Sequence, residues 1–234
     1  MRPPLEILDL HVQALFKLDE FGRTVASNTL SFESAPRFYI GRAEGEVVAL
    51  VRQDVPAPMA ADMLELASSE PPHTSPRTPP RFAGNYYESL AEDGPIERNY
   101  FGPAYWLPPS VVVSPPEEAR LLTEADGELL APHFAWALAD IQAGQPVFGV
   151  IRDGAVVAQC SCSRRTKRVV EAGIEVVEGY CGAGFAKDCT RAWVREMRER
   201  DLIPLWSTTW ENEASQAIAA RLGFEMYGTD WHLA

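Results

Sequence analysis

At 234 residues and 25.9 kDa, the chain is long enough for one large domain or two small ones. Its 46% hydrophobic and 23% charged residues give the composition of a globular protein with a sizeable core. A net charge of −12 argues against an extended nucleic-acid surface and suits a cationic substrate.

The four cysteines, Cys160, Cys162, Cys181 and Cys189, form no C-x-x-C pair. No signal peptide is recognised, and the apolar runs are too short to span a bilayer. The expectation is a reduced, soluble, cytoplasmic protein with no metal, nucleic-acid partner or membrane partner.

Along the chain, "DLHVQALFKLDEFGR" reads as a helix up to Gly22, and "RFYIGRAEGEVVALVRQ" as a hairpin around Glu44-Gly45. "PAPMAADMLELASSE" reads as a helix with Pro56 or Pro58 at its start. Residues 69–81, "SEPPHTSPRTPPR", cannot continue a helix or a central strand and read as a loop or linker. A second proline cluster, "YWLPPSVVVSPPEE", covers 105–118. These breaks predict an N-terminal α/β cap or accessory domain over 1–118 and a second domain over 119–234.

The second part is more regular. "TEADGELLAPHFAWALADIQAG" has helical spacing interrupted by Pro132. "PVFGVIRDGAVVAQCSCS" gives two strands joined at Asp153-Gly154, a strong hairpin signal. "VVEAGIEVV" is a third strand. Phe185, Cys189, Trp193 and Met197 recur at i, i+4 and mark one helix face. "LIPLWSTTW" is a strand, and "NEASQAIAARLG" is a helix with Asn212 as N-cap and Gly223 at its end. "FEMYGTDWHLA" is the last strand. From about residue 121 the order is α-β-β-β-α-β-α-β.

Between the third strand and the next helix lies "GYCGAGFA". Unpaired N–H groups of such a loop and of the first helical turn converge on one point, where the helix dipole also favours an anion. Gly182 and Gly184 let a phosphate approach the backbone without a Cβ in the way. The segment lacks the Lys-Ser or Lys-Thr of a Walker loop and the G-x-G-x-x-G spacing of a dinucleotide fold. A tight strand-to-helix turn is the plain alternative.

Taken in order, these segments resemble the GNAT superfamily of acyl-CoA-dependent N-acyltransferases over residues 121–234. The phosphate-loop pattern falls on Cys181-Gly182-Ala183-Gly184-Phe185-Ala186. The second landmark falls on Asn212 and on Leu222-Gly223-Phe224. Glu171-Ala172-Gly173, Pro204 to Ser215, and Arg221-Leu222-Gly223 resemble a bacterial branch with an extra N-terminal region. The resemblance implies a GNAT-like α/β fold, in which a mixed central sheet is flanked by helices and a smaller N-terminal α/β region precedes it. It further implies an N-acetyltransferase that moves the acetyl group of acetyl-CoA to a primary amine of a small molecule, with a homodimer allowed for. A non-catalytic acyl-CoA-binding or regulatory module is the alternative.

The site residues follow from the same resemblance. Contacts to the acyl donor fall on Ile174, Val176, Cys181, Gly182, Ala183, Gly184, Phe185, Ala186, Asn212 and Ser215. The Val176 backbone N–H is the oxyanion donor. Glu171 and Glu175, four apart on one strand, are the candidate bases, with Glu178 a loop carboxylate. Two positions depart from the pattern. Cys181 stands where Arg or Gln is usual, and Ala219 stands where many relatives carry a general-acid Tyr. Lys187 and Arg191 are candidate phosphate contacts or an ordinary solvated face.

The remaining chemistry is read more plainly. Tyr180 and Tyr227 are alternative acids or core aromatics. Cys160 and Cys162 read as buried thiols, and Asp230 with His232 as an edge-strand pair. "SRRTKR" at 163–168 is a basic hairpin tip remote from the loop. Trp106, Trp206, Trp210 and Trp231 line an acceptor pocket or the core.

Overall fold

The structure, a computed structural model, describes residues 6–29, 33–71, 75 and 77–234; residues 72–74 and 76 of the proline tract lie outside the described set. The chain separates into two compact units. One runs to Trp106 and takes in 206–217 and 225–234; the other holds 107–205 and 218–224.

In the first unit, α1 (Ile7–Leu15) leads directly into β1 (Phe16–Leu18), which pairs with β2 (Thr24–Ser27). The helix expected to run to Gly22 therefore stops at Leu15. The physical cause is the turn that follows: Asp19 Oδ1 accepts the N–H groups of Phe21 and Arg23, both at 2.9 Å, and bends the chain back. The hairpin β3 (Phe38–Ala43) and β4 (Glu46–Val51) turns at Glu44-Gly45 as anticipated. Helices α2 (Ala57–Ala67) and α3 (Ala83–Asp93) follow, then β5 (Asn99–Trp106).

The second unit contains β6 (Arg120–Leu121), the short helices α4 (Gly127–Leu130) and α5 (Ala137–Gln142), and strands β7 (Phe148–Arg152), β8 (Ala155–Arg165) and β9 (Val169–Val176). Further along the chain come α6 (Phe185–Glu199) and β10 (Ile203–Ser207), then α7 (Glu213–Leu222), divided between the units, and β11 (Glu225–Leu233), which belongs to the first. Both central residues of the β7–β8 turn have positive φ, Asp153 at 50° and Gly154 at 77°, as an Asp-Gly hairpin requires.

The strand order in the first unit is β4-β3-β11-β5, all antiparallel. Phe38, Ile40, Met63, Tyr86, Leu90 and Trp231 form its core. In the second unit the order is β10-β9-β8-β7-β6, parallel between β10 and β9 and antiparallel elsewhere. This is a mixed sheet, and α6 packs on β7, β8 and β9 through Cys189, Trp193 and Met197, the face read from the i, i+4 spacing.

Two sequence expectations are corrected. The units do not divide at 118/119, because β11 lies between β3 and β5 and so belongs with the N-terminal residues. It is therefore an inner strand, and Asp230 and His232 are not an edge pair: Tyr39 Oη donates to Asp230 Oδ1 at 2.5 Å, while the His232 ring stacks on Tyr100 with centroids 4.7 Å apart. Among the described residues, no helix is long and apolar enough to cross a membrane.

Candidate active site

The second unit's sheet contains a divergence. Strand β9 pairs with β10 at Val169↔Ile203, Val170↔Pro204 and Glu171↔Leu205, and the parallel register ends there. On its other side, β9 stays paired with β8 out to Val176↔Ala158. Two hydrogen bonds fix which backbone groups face which neighbour. Ile203 N donates to Arg168 O at 2.9 Å, so even-numbered residues of β9 face β10. Val177 N donates to Val157 O at 2.9 Å, so odd-numbered residues face β8. Because these directions alternate along a strand, the backbone groups of Ile174 and Val176 face the side that β10 has left. These are the two strand residues singled out from the sequence.

The open edge runs directly into the glycine loop. A single 3-10 turn, Glu178–Tyr180, leads to extended Cys181, and the chain then passes Gly182 (φ 81°) and Gly184 (φ 89°) into α6. Both glycines are in the left-handed region, and a Cβ at either would meet nothing within 4 Å. The glycines are thus set by backbone conformation, and the space above them is open. Asp188 N closes the first turn on Gly184 O at 3.1 Å. The amides of Phe185, Ala186 and Lys187 are the first-turn donors of a 15-residue helix. A cleft of about 100 Å³ here is lined by the glycine loop, by Lys187 and Arg191, and by the carboxylates of Glu117, Glu118 and Asp188.

A carboxylate secures this helix start. Asp188 accepts the N–H groups of Glu117, Glu118 and Ala119 at 2.7, 2.8 and 2.7 Å. Burial by itself raises its pKa, but those three donors and Arg191 outweigh it and leave the carboxyl below its ordinary value. Sequence reading missed this tether, because nothing local links residue 188 to residues 117–119. Arg191 is not a free phosphate contact: it pairs with Glu117 at 3.1 Å. Arg152 likewise pairs with Glu118, and its guanidinium lies 4.7 Å above the Phe185 ring.

The two candidate bases differ sharply. Glu171 is 2% exposed, and its Oε2 accepts from Arg164 Nη1 at 2.6 Å and from Ser163 Oγ at 3.3 Å. The Glu171 carboxylate is thus engaged within the sheet by an ion pair and a hydrogen bond. The ion pair also shows that Arg164 of the basic hairpin serves the strand below it. Glu175 is solvent-accessible, and the partial burial of its carboxyl raises its pKa above the usual glutamate value. Glu178 is exposed in the loop.

The remaining candidates are placed as follows. Ala219 is fully buried, and its carbonyl accepts Phe224 N at 3.0 Å. Tyr180 is a loop residue and not core; its hydroxyl donates to Asp153 at 2.7 Å, which raises its pKa. Tyr227 is buried in the first unit against His11. Cys160 is buried as expected, and Cys162 takes the Trp193 indole N–H at 3.3 Å; burial raises both thiol pKa values. Trp106, Trp206 and Trp231 are buried, and Trp210 lies under the Arg77 guanidinium at 4.8 Å.

Asn212 and Ser215 sit in the first unit. Asn212 Oδ1 caps α7 by accepting Ser215 N at 3.0 Å, and Ser215 Oγ accepts the Trp206 indole N–H at 3.0 Å. These contacts of Asn212 and Ser215 are local to α7 and the end of β10. Among the described residues, no group of three or more His, Cys, Asp or Glu side chains is placed to hold a metal ion.

Residues 145–229 match the family described as GNAT acetyltransferase. No curated protein matches the sequence. Three solved structures match the chain, two of them with TM-scores above 0.5. The GCN5-related N-acetyltransferase of Kribbella flavida is 16% identical with a TM-score of 0.51, over 100% of this chain and 95% of that one. The GCN5-related N-acetyltransferase-like protein of Streptococcus suis 89/1591 is 17% identical with a TM-score of 0.51, over 86% and 85%. A putative GNAT-family acetyltransferase of Novosphingobium aromaticivorans DSM 12444 is 19% identical with a TM-score of 0.49; the match takes 59% of this chain and 66% of that one, so this chain spans just under two thirds of its length.

Proposed function

We propose, from the match of residues 145–229 to the GNAT acetyltransferase family, that this chain is a GNAT-superfamily member that transfers an acetyl group from acetyl-CoA to a primary amine of a small molecule. The observation that carries the proposal is the backbone edge of β9 at Ile174 and Val176, left by β10 and continuous with the glycine loop and the start of α6.

Acetyl-CoA supplies the acyl group as a thioester whose thiolate can depart. The edge N–H and C=O of Ile174 and the C=O of Val176 hold the extended arm of that donor, as a further strand would be held. The loop from Cys181 to Ala186 and the first-turn amides of α6 hold its phosphates, with the helix dipole adding positive potential. The chain then has two chemical tasks. Val176 N–H donates to the carbonyl oxygen as negative charge develops on it. Glu175, directly or through one water, takes the proton that the attacking amine must lose. Its raised pKa moves it toward the range in which a base works. The net charge of −12 favours the approach of an ammonium-bearing acceptor. No side chain is assigned as acid to the departing thiolate, in keeping with Ala219.

The second reading, a non-catalytic acyl-CoA-binding module, is favoured only by the buried Ala219. One experiment separates the two. Acetyl-CoA is incubated with a panel of small primary amines, and free thiol release is followed alongside calorimetric binding of CoA. Amine-dependent thiol release supports the transferase. Binding without turnover on any amine supports the module. Absence of CoA binding sinks both.

A further inference from the structure

We propose that Glu171, Arg164 and Ser163 form a clasp that fixes the residue at which β9 parts from β10, and so sets the length of backbone edge offered to CoA. The inference rests on reading that edge as the CoA site.

Three features coincide at one position. The β8–β9 register shifts between Cys162 and Arg164, so Ser163 is the additional residue of a bulge and Arg164 stands opposite Glu171. Arg164 Nη1 donates to Glu171 Oε2 at 2.6 Å, and Ser163 Oγ lies 3.3 Å from the same oxygen and 3.2 Å from Glu171 O. On the opposite edge, Glu171↔Leu205 is the last pair between β9 and β10. The bulge, the ion pair and the parting of the strands therefore meet at Glu171.

The physical link is register. Burying a carboxylate is costly unless it is paired, so Arg164 and Ser163 opposite Glu171 favour the register that keeps them there. Arg164 is opposite it only while β8 keeps the bulge. A one-residue slip would turn every side chain of β9 to the other face, and Glu171 would then face away from its partner. The pair thereby opposes both slipping against β8 and further zipping onto β10. Glu171 acts through the β9 backbone, and its role is positioning.

The test uses the full chain with E171Q and R164Q and two probes. CoA reaches both the loop and the edge, whereas adenosine 3′,5′-bisphosphate has phosphates but no pantetheine arm. Affinities are measured by calorimetry and thermal midpoints by unfolding. The expected result is about tenfold or greater loss of CoA affinity in both variants, with the bisphosphate held within about twofold. An unchanged ratio of the two affinities overturns the clasp. Parallel loss of both probes, by weakened binding or by unfolding of both variants, assigns the pair to fold stability alone and also overturns it. A wild-type chain that binds neither probe sinks the CoA reading itself, which is a separate and recognisable outcome.

Discussion

The first three residues of β9, Val169 to Glu171, pair with β10 and are buried, whereas Ala172 to Val176 pair with β8 only and stay partly exposed. One strand thus has an anchored half and an open half. In the anchored half, the β10-facing amides are spent on the sheet and contribute stability. Beyond Ala172, whose N–H closes the last β10 pair, the backbone groups of Ile174 and Val176 face the side that β10 has left. A rigid half next to an open half is how a sheet offers backbone donors without loosening itself. The glycine loop extends the open half, and the Asp188 tether extends the anchored one.

The largest expected effect falls on the open half. Glu175→Gln removes the proposed base while keeping size, and the rate should fall by about 10²–10⁴-fold with CoA affinity retained. The raised carboxyl pKa sets the direction of the pH profile: the acidic limb of kcat/KM should lie above the ordinary glutamate value in wild type and vanish in the variant. A full rate with an unchanged profile would exclude Glu175.

An amide-to-ester replacement sharpens the comparison by deleting one N–H at a time. At Val176 it should lower kcat by about 10²–10³-fold, as loss of an oxyanion donor does, with the thermal midpoint little changed. At Val170, in the anchored half, it should cost stability of about 1 kcal/mol, as loss of one ladder bond does, with little specific effect on kcat. Equal behaviour at the two positions, read by stopped-flow kinetics and unfolding, would erase the distinction.

Asp188→Asn should destabilise the chain by about 2 kcal/mol, since hydrogen bonds to a charged acceptor exceed neutral ones. The sign with pH follows from the lowered folded-state pKa. The stabilisation is fully present above the unfolded value near 4 and is lost as pH falls through the lower folded value. Wild type and variant should therefore converge in acid. A gap that persists at low pH in urea titrations would contradict this. Gly184→Val, at φ 89°, forces a β-branched residue into the left-handed region beside the open space. CoA affinity should fall about tenfold, or 1.4 kcal/mol; unchanged calorimetric affinity would remove the loop from the site.

Much of the second unit was legible in the sequence. Its strands carry β-branched runs, its hairpin carries Asp-Gly, and α6 carries four apolar residues at i, i+4; each is a local signal with a local cause. The glycine loop was legible for the same reason. The first unit was harder. Strand β5 contains Gly102 and Pro103, which break any strand pattern, and neither it nor α3 was anticipated. Gly102 is needed there because a Cβ would sit 1.8 Å from the carbonyl oxygen of Thr208, a residue 106 positions later in the chain. No local window can show that approach.

The sequence by itself determined the order of strands and helices from β7 onward and the glycine turn between β9 and α6, because periodicity and turn chemistry act over a few residues; it did not show β6 or the division of the preceding helix into α4 and α5. Tertiary structure decided the rest. It placed β11 between β3 and β5, separated Glu171 from Glu175 by burying the first against Arg164 while leaving the second exposed, and tied Asp188 to residues 117–119. Each of those outcomes depends on which groups meet across long stretches of chain. Pairing and desolvation, not residue type, then fix whether a carboxylate anchors the fold or remains free to take a proton.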